Sequence, residues 1–321
     1  MARRRASLAI YSPLACSRSG RENAVCLVNP RRCGATMKIR LVAVLALAAA
    51  VQVSSLSNVY GQTPPPAFLA DVTSSVMKAS AGGRAYQISV ALPKDYSPRH
   101  APYPVLYAAD ANVEFGTVVE TARVFAEIPE LVIVGIGYPD FGQGFAWVPR
   151  ALDLTTTPDP KAPGTAGGAA GFLQFIRNDL VPYIERTYNV GRDRAWFGHS
   201  FGGLFGIYAI LHNEGLFGRF VIGSPSLWQG RETIQADEKA FAATGKPLAA
   251  KVFFSVGLLE PGVMAGDLRA FIAGLDQRHY KDLEYQVRYF EGETHLSVIP
   301  ITVSRGLRYI YAPPVPKGVS K

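Results

Sequence analysis

Beyond residue 61 the sequence has no cysteine: Cys16, Cys26 and Cys33 are the only three, and all precede it. The body of the chain therefore forms no disulfide and offers no thiol nucleophile or thiolate metal site, so its stability has to come from a core. Net charge is also missing there. The formal +8 arises from nine of the 33 Lys/Arg and one of the 25 Asp/Glu lying in residues 1–61, which leaves 24 of each sign in the remainder. A neutral body supplies no phosphate-binding patch, which excludes a nucleic-acid-binding role. No apolar run is long enough to span a bilayer: the longest, residues 41–53, is 13 residues against the roughly 20 required. Gly135-x-Gly137 lacks the third glycine of a dinucleotide fingerprint, so no nucleotide cofactor is expected. Internal repeats are absent.

Met37-Lys38-Ile39-Arg40 ahead of that short apolar run reads as a signal peptide over residues 37–61, with Val59-Tyr60-Gly61 as the cleavage site. A membrane anchor is the competing reading. Residues 1–36 are Arg-rich and unpatterned and form a non-native N-terminal extension if translation starts at Met37. The expected product is a periplasmic or secreted domain spanning residues 62–321, with no stable membrane insertion once the signal is removed.

Within that domain, continuous apolar runs at 103–109, 131–136, 195–198, 220–224 and 251–256 read as strands buried on both faces, preceded by an alternating strand at 86–92 and followed by one at 284–290. Helical patterns fall at 113–127, 172–188, 230–243, 262–281 and 296–311, and a loop is expected from 137 to about 171. Strands alternating with helices predict an α/β fold with a mostly parallel central sheet and helices on both faces.

The most informative stretch is Gly198-His199-Ser200-Phe201-Gly202, set between a buried strand and a glycine-rich apolar helix. This G-x-S-x-G pattern is a nucleophile elbow, which exposes a serine hydroxyl at a sharp turn and puts the following N–H at a helix start. The chain order Ser, acid, His then points to the loops after the last strands. His295 follows the 284–290 strand and is the expected general base. Of the other histidines in the body, His100 lies in a polar loop, His212 and His279 in helical stretches, and His199 should point away from the nucleophile. Glu260, directly after the 251–256 strand, is the expected acid, with Asp267 as the alternative and Glu293 too near His295 to hold its ring. A second oxyanion donor is expected from the Ala111 or Asn112 N–H, beside that of Phe201. Tyr138, Phe141, Phe145, Trp147, Arg150 and Trp228 lie on loops near the serine and could wall a substrate pocket, with Arg150 supplying positive charge unless it pairs with Asp153. No metal or cofactor is expected.

Together with Val105-Leu106-Tyr107-Ala108-Ala109-Asp110, Val134-Gly135-Ile136-Gly137-Tyr138, Arg150-x-x-Asp153-Leu154-Thr155, Ser224-Pro225-Ser226-Leu227-Trp228 and Gly292-Glu293-Thr294-His295, the elbow resembles an esterase family of the α/β-hydrolases. That family includes enterobactin and bacillibactin esterases, S-formylglutathione hydrolase and the mycolyltransferases. The resemblance covers roughly residues 70–312. It implies Ser200 as nucleophile, His295 as base, Glu260 as acid, and the Phe201 and Asn112 N–H groups as oxyanion donors. One position departs from the pattern: Ala111 stands where the family usually has glycine. A small-molecule ester, including a siderophore trilactone, is the implied substrate. Acyl transfer and a non-catalytic binding role on the same scaffold are the alternatives.

Overall fold

Period-two alternation along the strands sends neighbouring side chains to opposite faces of one sheet, and the core is accordingly double. Tyr107, Trp196, Phe220 and Phe254 enter one apolar cluster, while their neighbours Leu106, Phe197, Val221 and Phe253 enter another. All eight side chains are fully buried, which explains why these segments read as continuous apolar runs rather than as alternating ones. The computed structural model describes residues 69–139, 147–212 and 214–311, with the backbone alone at 147 and 148. The signal segment and Phe141 and Phe145 lie outside the described residues.

The sheet has eight strands: β1 (Val72–Lys78), β2 (Ala85–Ala91), β3 (Tyr103–Ala108), β4 (Val132–Gly137), β5 (Val190–His199), β6 (Arg219–Gly223), β7 (Ala250–Gly257) and β8 (Leu283–Phe290). Their spatial order is β1-β2-β4-β3-β5-β6-β7-β8. The first two pairings are antiparallel and the rest parallel. This is the α/β-hydrolase arrangement. Helices α1 (Ala111–Val124) and α7 (Val298–Tyr311) pack together on one face. The other face carries α3, which runs from Ala169 to Thr187, and α4 (Phe201–His212). Helices α5 (Arg231–Ala243) and α6 (Gly262–Arg278) follow β6 and β7.

Three features differ from the sequence expectation. Strand β1 is an edge strand that is mostly exposed, so it carries no apolar alternation to announce it. A short helix, α2 (Trp147–Leu154), lies in the stretch expected to be loop; at eight residues it is barely two turns, too short for periodicity to register. Helix α3 passes through a π-turn at Ile176–Leu180 just before Pro182. Proline donates no N–H, and the wider turn accommodates the missing bond without ending the helix. Phe172, Phe175, Ile176, Leu180 and Ile184, the face expected to cover the sheet, are all buried.

Candidate active site

The turn between β5 and α4 is built around missing side chains. A Cβ at Gly198 would stand 2.1 Å from the Gly202 carbonyl oxygen, and one at Gly203 would stand 2.7 Å from that of Gly223. Both distances are far inside contact, so only glycine lets α4 leave the strand so steeply. Ser200 sits at the apex with φ of 61°, a left-handed conformation that a non-glycine residue adopts only when its surroundings hold it there. The holding contacts are Ser200 N–H to Gly223 O at 2.9 Å, Ser226 N–H to Ser200 O at 3.1 Å and Leu204 N–H to Ser200 O at 3.0 Å. Ser200 Oγ lies 3.2 Å from Ser226 Oγ. Phe201 opens α4, at the positive end of its dipole.

The loops leaving β7 and β8 meet beside this turn. Leu259 N–H donates to Glu293 O at 2.9 Å, and a Cβ at Gly257 would stand 2.4 Å from that same oxygen. The contact brings Glu260 to His295: Glu260 Oε2 is 2.6 Å from His295 Nδ1. The other carboxylate oxygen accepts from Ser224 Oγ at 2.5 Å and from the Gly257 N–H at 2.7 Å. The Glu260 side chain is wholly buried, whereas the His295 side chain is 36% exposed and so reachable. Burial pushes the Glu260 carboxyl up, but the hydrogen bonds from His295, Ser224 and Gly257 outweigh it and hold the group below its usual range. It is therefore an anion at neutral pH, as a group that orients an imidazole and balances its positive charge must be. Asp267 lies elsewhere, in a forked ion pair with Arg231 at 2.7 and 2.8 Å.

His199 is buried with its ring 4.5 Å from that of His295. Burial, reinforced by the neighbouring His295 and Arg150, drives its pKa well below the ordinary histidine range, so it is a neutral neighbour of the half-buried His295 ring.

Two residues past the end of β3, Asp110 has φ of 52° and starts α1. Val113 and Glu114 N–H both close onto Asp110 O at 3.0 Å, leaving Ala111 and Asn112 at the open end of the helix. The Asn112 side chain clamps the backbone of Tyr138, accepting from its N–H at 2.7 Å and donating to its carbonyl at 3.0 Å. Gly135 and Gly137 have no side chains because α1 occupies the space: a Cβ would stand 2.5 Å from Phe115 and 2.3 Å from Asn112 Oδ1, respectively.

Two residues expected to wall a substrate pocket are internal instead. Arg150 does not pair with Asp153, which bonds Arg84; it makes a buried fork to Asp110, with Nε to Oδ1 at 2.7 Å and Nη2 to Oδ2 at 2.9 Å. Tyr138 is buried against Tyr86. The Trp147 side chain lies outside the described residues. Trp228 is 51% exposed, with its ring 6.1 Å from that of Phe201. Val113, Leu258, Leu259 and Leu296, each within two residues of Asn112, Glu260 or His295, are also exposed. Ser224 and Ser226 have no role that the sequence alone announces. Their signal is the S-P-S stretch after a buried strand, which carries no chemistry until the fold brings Glu260 and Ser200 to it. Among the described residues, no cluster of three or more His, Cys, Asp or Glu could hold a metal ion.

Comparison with known proteins identifies the family. The sequence model of the family described as "Putative esterase" matches residues 79–297. The chain is 32% identical over 262 residues to the ferri-bacillibactin esterase BesA of Bacillus subtilis, covering 75% of this chain and 90% of that one. It is 30% identical over 268 residues to the siderophore triacetylfusarinine C esterase of Aspergillus fumigatus, covering 71% and 89%. The solved structure of the BES protein from Bacillus cereus superposes with a TM-score of 0.70 at 29% identity, covering 78% of this chain and 98% of that one. With the family match spanning more than half of its length, the chain belongs to this esterase family of the α/β-hydrolase fold.

Proposed function

We propose that the protein is an exported serine hydrolase that cleaves carboxylic esters, with siderophore esters as its substrate class. The observation that carries this reading is the 2.6 Å contact between His295 Nδ1 and the buried Glu260 carboxylate, beside a strained Ser200 at the elbow. With Nδ1 held by Glu260, Nε2 is the nitrogen left to take a proton. Ser200 Oγ attacks the ester carbonyl carbon and its proton passes to His295 Nε2, while the Phe201 and Asn112 N–H groups receive the oxyanion. Collapse expels the alcohol, which takes the proton back from His295, and leaves an acyl-enzyme. Water then repeats the sequence and frees the acid.

The siderophore class is supported by the two curated relatives, whose names specify siderophore esters, and by the exposed apolar side chains of Trp228, Leu258, Leu259 and Leu296 near Phe201, Glu260 and His295. These fit the bulky, partly aromatic body of such a ligand. Export follows from the 37–61 signal pattern, and the mature chain begins near Gln62.

A panel running from short p-nitrophenyl esters to iron-loaded siderophore lactones, with kcat/KM read for each, tests the substrate class. The lactones are expected to exceed the short esters by at least about tenfold. Equal or lower values would refute the siderophore assignment. Intact mass of the periplasmic protein tests export, and retention of residues 37–61 in a membrane fraction would refute cleavage.

A further inference from the structure

Asp110 and Arg150 form an ion pair whose side chains are only 3% and 4% exposed. A pair this deep gains little net stability, because the attraction largely repays the cost of taking both charges out of water. Its geometry accounts for its presence better than its energy does. Asp110 is the residue from which α1 departs, yet its carboxylate does not cap that helix. It turns instead to Arg150, which comes from α2, 40 residues further on. The Arg150 guanidinium carbon also lies 5.0 Å from the centroid of the Phe201 ring. On the α4 side, Asp110 Oδ2 stands 3.5 Å from where a Gly202 Cβ would be.

One planar cation thus touches both segments that offer oxyanion N–H groups: the start of α1 after β3 and the start of α4 after β5. Glu114, one turn into α1, is buried nearby; burial first and the Asp110 charge second hold its carboxyl well above the usual range.

Resting on the serine-hydrolase reading above, we propose that Arg150 is a positioning residue which, through Asp110 and Phe201, sets the separation of the two oxyanion donors. Substrate charge is not its ligand. Oxyanion stabilisation depends on donors being fixed before charge develops, and a fork with two hydrogen bonds fixes both distance and angle, which a single-point ammonium cannot.

The test compares an ester with its thionoester, whose sulfur accepts hydrogen bonds poorly in a hole built for oxygen. Wild-type hydrolysis of the ester must come first, since its absence would sink the serine-hydrolase reading itself. Removing Arg150 alone would strand a buried carboxylate, so the main variant is Asp110→Asn/Arg150→Met, in which asparagine tolerates the left-handed backbone. Ester kcat is expected to fall on the order of 10²-fold with KM within about twofold, while thionoester kcat falls much less, so that the ester-to-thionoester ratio shrinks. Arg150→Lys, which keeps the charge and loses the fork, is expected to give an intermediate ratio and serves if the double variant does not fold. A loss confined to KM for anionic esters would overturn the proposal by making Arg150 a substrate ligand. Equal losses on both substrates, or a wild-type ratio in Arg150→Lys, would overturn it as well.

Discussion

Ser224 Oγ donates to Glu260 Oε1 at 2.5 Å, and Ser224 is held for that contact at φ of 39° in a fully buried position. The hydroxyl and the Gly257 N–H together fix one oxygen of the carboxylate, so that the other meets His295 in a single orientation. Ser224→Ala is expected to lower kcat on the order of tenfold and to reduce stability by about 1–3 kcal/mol, the usual cost of leaving a charged acceptor short of a partner. Steady-state kinetics and urea unfolding check the two effects. A variant with wild-type kcat would mean that Glu260 needs no such support.

The acid is tested by a pair of amide replacements. Glu260→Gln should lower kcat by 10²–10⁴-fold, about the upper end being the loss seen for the corresponding change in chymotrypsin-type triads. Asp267→Asn, which breaks only the ion pair with Arg231, should stay within about twofold. The Glu260 carboxyl is held below its usual range, so its ionised form stabilises the fold above about pH 4.3, and that contribution is lost as pH falls through the lowered value. Unfolding measured from pH 6 to 3 should therefore show a shallower acid loss in Glu260→Gln than in wild type.

His199 gives a separate acid window. Its folded-state pKa is depressed, so the unfolded chain binds a proton that the folded chain refuses. Stability from this group is complete above about pH 6.5 and falls below it by up to about 1.4 kcal/mol per pH unit. His199→Gln should flatten that slope between pH 7.5 and 5 in urea unfolding. An unchanged slope would show that His199 is protonated in the fold.

What the sequence made readable follows from where the physics is local. The elbow is legible because the constraint on Gly198 and Gly203 is steric and short-range, and β3, β4, β6, β7 and the second half of β5 are legible because both their faces are buried. His295 and Glu260 could be picked out by their places after β8 and β7, since in a parallel sheet those ends converge. The Asp110–Arg150 fork joins residues 40 apart through a short helix with no periodic signal, and the Ser224–Glu260 bond spans 36. Neither partner in those pairs carries a local mark of the other. Arg150 illustrates the limit: an arginine on a stretch near the serine reads as a substrate ligand until burial shows that its charge is already matched.

Whether Ser200 is an activated nucleophile is read by covalent labelling with a fluorophosphonate followed by peptide mapping. One adduct is expected, on Ser200, formed much more slowly in His295→Ala and absent from Ser200→Ala, which also loses nearly all ester hydrolysis. An unlabelled wild-type protein, or a Ser200→Ala variant that still turns over esters at the wild-type rate, would contradict that expectation.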